Sequence, residues 1–186
     1  MAFRLPAALL TGLSALALAS CGNFKQSTAE AAMFYRDYAG PAAVDGVARV
    51  RLSAEGVVRI TPGSDCADFT RPETGVALYA AFSLKDYGYL HDRKLGMSGQ
   101  PPAGLVSTEV TLQANEPAVI TYSNTWTQRG TQYSCHVHRR VLPASNAQYQ
   151  LVARTDADAG DCLVELTDLV EPGREVPVAP AQRCPG

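Results

Sequence analysis

Short segments in which apolar residues recur at every second position, each bounded by turn-forming residues, constrain this chain more than any other feature. From Gly46 the period is two: Ala48, Val50 and Leu52 project to one side, Arg49 and Arg51 to the other. After Ser53-Ala54-Glu55-Gly56, Val58 and Ile60 alternate with Val57 and Arg59, and the two runs together predict a β-hairpin closed by Pro62-Gly63. Residues 76–84 are mostly apolar and predict a strand buried on both faces. Further strands are predicted over 105–112, 118–125, 132–141, 148–155 and 162–168. Asn115-Glu116-Pro117, Arg129-Gly130, Pro143 to Asn146 and Asp156 to Gly160 separate them, residues that supply the backbone angles turns need. An all-β domain follows.

The two ends of the chain read differently. Met1 to Ser20 carries one charge, Arg4, and then runs through Leu5, Ala7, Ala8, Leu9, Leu10, Leu13, Ala15, Leu16, Ala17 and Leu18. A charged start followed by an apolar stretch is the pattern of a cleavable secretory signal. Residues 5–20, interrupted by Pro6 and Gly12, fall short of the ~20 apolar residues a membrane-spanning helix needs. Further along, Ser27-Thr28-Ala29-Glu30 has the form of a capping box and predicts a short helix over 29–38, stopped by Gly40-Pro41; a flexible tether is the alternative. The tail from Glu171 holds Pro172, Pro177, Pro180 and Pro185, which predicts an extended path over the surface.

Leu18-Ala19-Ser20-Cys21 closes the apolar stretch and resembles the lipobox of bacterial lipoproteins, with Leu three places before the Cys and small residues next to it. The resemblance implies cleavage before Cys21, whose thiol then carries diacylglycerol, and acylation of the new amino group by a fatty acid such as palmitate. Each buried methylene contributes ~0.8 kcal/mol, so several chains anchor stably where one would not. Gly22 stands where family members retained at the inner membrane often carry Asp, which points to the periplasmic side of the outer membrane. The chain then divides into a signal peptide (1–20), a lipidated Cys with tether and short helix (21–45), a β-domain (46–170) and a Pro-rich tail (171–186).

Removing the first 20 of 186 residues leaves 166, enough for one domain with a real core. Arg4 leaves with them, so 15 basic and 18 acidic residues remain, with no block of like charge to suggest nucleic acid. Besides Cys21 there are Cys66, Cys135, Cys162 and Cys184, and an even number in an exported domain predicts two disulfides. Four cysteines allow three pairings, and spacing alone selects none. The pleat favours one. Tyr133, Cys135, Val137 and Val141 share a face of their strand, and Cys162, Val164 and Leu166 share a face of theirs, so Cys135 and Cys162 both point inwards. That loop would stabilise by ~3 kcal/mol. Cys66 and Cys184 are then left to tie the end of the chain to an early loop.

Candidate chemistry is sparse. His136 and His138 share a strand face, but Ser134 and Arg140 lie there too, and a metal would need a third ligand when only His91 remains among histidines. An exposed polar stripe accounts for them better, and no metal or cofactor is expected. Asp156, Asp158 and Asp161 around Gly160 lack the glutamate of a calcium loop and read as a solvated turn. Nucleophile-elbow, phosphate-loop and zinc-protease patterns do not occur. The Asp86 to Asp92 segment brings Tyr87, Tyr89 and His91 together as a candidate contact surface, and Trp126, the sole tryptophan, comes second.

The expectation is therefore an antiparallel β-sandwich of immunoglobulin-like or transthyretin-like kind, lipid-anchored, with two disulfides. Its implied role is non-catalytic: binding an envelope protein as an assembly accessory, an inhibitor or an immunity protein. A glycan- or peptidoglycan-binding module using Tyr87 to His91 is the alternative. The two differ in whether isolated cell-wall sacculi bind.

Overall fold

The computed structural model describes residues 27–31, 36–44, 46–80, 93–171, 174 and 176–185. The signal peptide, Cys21, Tyr87, Tyr89 and His91 lie outside the described residues. Among the described residues nine strands form two sheets: β1 (Val47–Ala54), β2 (Val57–Pro62), β3 (Gly75–Tyr79), β4 (Val106–Gln113), β5 (Ala118–Gln128), β6 (Thr131–Val141), β7 (Gln148–Asp156), β8 (Asp161–Asp168) and β9 (Val178–Pro180). One sheet has the order β4-β1-β7-β8 and the other β3-β2-β5-β6-β9. The expected all-β sandwich is present.

Its core is made by the faces the alternation singled out. Val50 and Leu52 of β1, Val110 and Leu112 of β4 and Leu151 of β7 meet Val58 and Ile60 of β2 and Ile120 and Tyr122 of β5, all at most 1% exposed. Burying each such side chain contributes roughly 1.5–3 kcal/mol, which is why the pattern dictates the layers. β3 is buried along Val76, Ala77 and Leu78, as its unbroken apolar run predicts.

Two differences from expectation concern pairing. β1 and β2 do not form a hairpin: β1 pairs with β4 and β7, whereas β2 pairs with β3 and β5. A hairpin would place both apolar faces side by side on one sheet, still needing cover. The crossing at Glu55-Gly56 sets them against each other across the core instead. Gly56 makes the crossing feasible, since a Cβ there would come within 2.4 Å of the Ser123 carbonyl oxygen. The second difference is that β1 and β7 run parallel, Val50 beside Tyr149 and Leu52 beside Leu151, while every other strand pair is antiparallel.

The chain ends also depart from prediction. Helical geometry covers Ser27 to Ala31, but by Arg36 the chain is extended, and Asp37 bridges Val76 in parallel. Tyr38, predicted to end a helix, is 1% exposed, and its hydroxyl donates to the Thr111 carbonyl at 3.0 Å. An aromatic ring that can plug the sandwich while satisfying its hydroxyl outweighs a weak helical preference. The tail does more than lie over the surface: Val178–Pro180 pairs with Arg139–Val141 as a short edge strand. Arg183 then bridges Ala67, and Cys184 bonds to Cys66.

Candidate contact surface

β5 and β6 are joined by the two residues Arg129 and Gly130, with φ of 51° and 80°. Positive φ at both positions matches the twist of antiparallel strands, so the turn fixes the register: Gln128 opposes Thr131, and Trp126 opposes Tyr133. β2 begins at Val57, which pairs with Ser123, and β9 reaches only Arg139. From Asn124 to Cys135 the hairpin therefore continues as a two-stranded ribbon past its neighbours. It projects from the sandwich.

A closed belt fixes the base of this projection. Asn124 opposes Cys135 in one sheet, and Thr155 opposes Cys162 in the other. Cys135 and Cys162 are joined by a disulfide with Cα atoms 5.5 Å apart. Alongside it, the Asn124 Nδ2 donates to Thr155 Oγ1 at 2.9 Å. Tyr122 adds a hydroxyl contact to the same Thr155 oxygen at 3.3 Å. Both bonds cross between the sheets at one level, so the ribbon beyond them is held at its root by covalent and polar ties together.

One step further out, Trp126 and Tyr133 stack with ring centroids 5.7 Å apart and an interplanar angle of 20°. Tyr133 is 42% exposed, among the more exposed large hydrophobic residues described. Trp126 is half-buried, and its indole nitrogen is shielded from solvent with no acceptor among the described residues. The β7–β8 turn stands at the same end of the sandwich, with Asp158 and Asp161 exposed. The Asp156 carboxylate is taken up by its own turn, accepting from the amides of Asp158 and Ala159 at 3.1 and 3.0 Å. No cluster suited to a metal occurs among the described residues.

The histidine stripe is exposed at Ser134 and His136 and half-buried at His138 and Arg140. His138 Nδ1 lies 2.8 Å from Thr121 Oγ1, and its ring stands 6.2 Å from Phe69. His136 meets it edge-on at 4.5 Å and approaches Glu30 at 3.7 Å. Burial, with the Arg183 and Arg59 guanidiniums beside it, pulls His136 down to about 4. Burial, His136 and Arg183 pull His138 down to about 4 as well, against the pull of Glu30. The Arg183 and Arg59 guanidiniums beside the two rings would oppose a further cation there.

On the opposite outer face, residues 93–101 run across the four-stranded sheet and wall a cleft of about 600 Å³ with Arg51, Arg93, Lys94, Met97 and Gln100 on its lining. Of the residues singled out from sequence, Trp126 and the four cysteines take defined places in the structure. Tyr133, which the sequence places only on the face of Cys135, stands directly opposite Trp126 because of the Arg129-Gly130 turn.

No family model, curated protein or solved structure matches this chain.

Proposed function

We propose that the protein is a lipid-anchored, non-catalytic interaction protein of the bacterial cell envelope, exposed to the periplasm from the outer membrane. The lipobox-like Leu18 to Cys21 supports the anchor, and the two disulfides suit an oxidising compartment. The observation that carries the interaction reading is the Trp126–Tyr133 pair on a projecting hairpin whose root is clamped by Cys135–Cys162. Aromatic side chains lose little conformational freedom on binding, and a clamped hairpin has already lost its own. Among the described residues, His138 is paired with Thr121 and the Asp156 carboxylate is taken up by its own turn.

The test is a photo-crosslinking side chain at position 133, compared in intact cells with one at Ser145, an exposed loop residue elsewhere on the domain. A discrete protein adduct from position 133, absent from 145 and lost in Trp126→Ala, is expected. Equal labelling from both positions sinks the assignment of the surface. Stacked aromatic rings also favour a second reading, a glycan-binding module, because a sugar ring can stack on such a face. Binding to isolated sacculi that Tyr133→Ala abolishes, with no protein adduct, would decide for that reading.

A further inference from the structure

Both ends of the described chain converge on the outer face of the five-stranded sheet. The Ser27–Ala31 turn lies there with Ala29 against the small cluster of Ala67, Phe69, Val119 and Ala181. Glu30, with a side chain only 16% exposed, reaches three strands or segments at once. One oxygen lies 3.8 Å from Arg59 of β2 and 3.7 Å from His136 of β6, and the other pairs with Arg183 of the tail. Arg183 also sits 5.5 Å over the Phe69 ring and donates to Ser27 Oγ at 3.4 Å. The Cys66–Cys184 bond fixes the neighbouring residue of the tail. Two arginines, one of them lying over an aromatic ring, make a docking point for a carboxylate-bearing peptide segment, and it is occupied here by Glu30 of the chain's own N-terminal side.

We propose that this turn is a latch. It holds the tether against the domain, so that the outer face of the five-stranded sheet is the membrane-facing side of the protein. The proposal rests on lipidation at Cys21. Ser27 lies six residues beyond Cys21, so at ~3.5 Å per residue the two cannot be more than about 20 Å apart. That is shorter than the breadth of a small domain. With the turn docked, the lipid lies on the side where both chain ends gather, and the strapped face of the four-stranded sheet turns to the periplasm. An undocked turn would free the segment to Arg36 as additional tether and let the domain tumble.

The experiment uses the full protein with its disulfides intact, spin-labelled in pairs. A label at Ala31 and one at Glu165, on the outer side of β8, should give a single narrow distance. Glu30→Lys should lose it, and Glu30→Lys with Arg183→Glu should recover it, which separates a broken latch from a misfolded domain. A broad distance in the parent protein, or no recovery in the double variant, overturns the latch. In vesicles carrying a relaxation agent on their headgroups, a label at Ser134 should be quenched strongly and one at Glu165 weakly. Equal quenching overturns the orientation. The intact mass of the membrane-extracted protein reads the lipid separately: its absence overturns the anchor on which the orientation rests, while the distance still judges the docking.

Discussion

Arg51 and Glu109 face each other directly across β1 and β4, and Arg51 Nε and Nη2 both donate to Glu109 Oε1, at 3.0 and 2.8 Å, with side chains only 5% and 9% exposed. The pair lies on the outer face of its sheet, where water would be expected, because residues 95–98 close over it. Arg51 donates to the carbonyls of Ser98 and Met97 at 3.0 and 3.1 Å, and Glu109 accepts from the amides of Leu95 and Met97 at 2.5 and 3.5 Å. Burial pushes the Glu109 carboxyl up, but these amides and Arg51 outweigh it and hold it below the usual carboxylate range. The pair and its covering strand satisfy one another.

Removing one partner should therefore be costly. Glu109→Ala leaves Arg51 buried with its charge uncompensated and takes the acceptor from Leu95, a loss of about 3–5 kcal/mol. Replacing both, as Arg51→Met with Glu109→Leu, should recover only the part due to the uncompensated charge, because the Leu95 and Met97 amides and the Met97 and Ser98 carbonyls still lose their partners. Urea unfolding of the two variants measures this. A single variant within ~0.5 kcal/mol of the parent would mean that the strap does not shield the pair.

The disulfides should separate in effect. Their loops span 27 and 118 residues, so chain entropy alone assigns about 3.5 kcal/mol to Cys135–Cys162 and about 5 kcal/mol to Cys66–Cys184. Their local consequences differ more than their energies. Serine at 135 and 162 leaves the Asn124 and Tyr122 hydrogen bonds to Thr155 at the root of the hairpin, and amide exchange should rise over 124–134. Serine at 66 and 184 should raise it over 178–185, where β9 pairs with only three residues of β6. Exchange that rises equally in both regions for either variant would show that the bonds act on global stability alone.

A tryptophan partly screened by a tyrosine is a convenient reporter. Tyr133→Ala should uncover Trp126 and shift its emission to longer wavelength, and cost about 0.5–1.5 kcal/mol, since the ring pair lies beyond the main core. A loss of several kcal/mol would place the pair among the residues that hold the fold, and weaken its assignment as a contact surface.

The strands from β4 to β8 were readable because each sits between turn residues with special backbone preferences. The same turn logic, applied to Arg129-Gly130, already aligns Trp126 with Tyr133. What periodicity conveys is which residues share a face. It does not say which strand lies alongside, so β1 and β2 look like a hairpin although they belong to different sheets. The parallel pairing of Val50 with Tyr149 is non-local and leaves no mark in either segment. Arg51 and Glu109 look like ordinary outward residues, and only the strap of 93–101 makes them buried. The His136–His138 stripe reads as solvent-exposed, and His136 is so, whereas His138 is half-buried beside Thr121 and Phe69.

These histidines lead to a pH dependence with a definite sign. An unfolded chain protonates its histidines near pH 6.5, whereas His136 and His138 are held down at about 4 by burial and by Arg183, with Arg59 adding to the effect at His136 and His136 itself at His138. Glu30 is the one carboxylate facing them among the described residues, and it is shared with both arginines. Between pH 6.5 and 4 the unfolded state thus binds protons the folded state refuses, and stability falls as pH is lowered through that window. Both rings are partly open to water, so the loss should be on the order of 1 kcal/mol for each. Glu109 and Asp168, whose folded values are depressed, act lower: their contribution is present above the ordinary carboxylate range and disappears as pH falls through their folded values. Melting temperature measured from pH 7 to 3 should accordingly decline in two stages. Gln at 136 and 138 should flatten the upper stage and leave the lower one. An unchanged slope between pH 6.5 and 4 in that variant would assign the upper stage to other groups and remove the histidines from the account of acid stability.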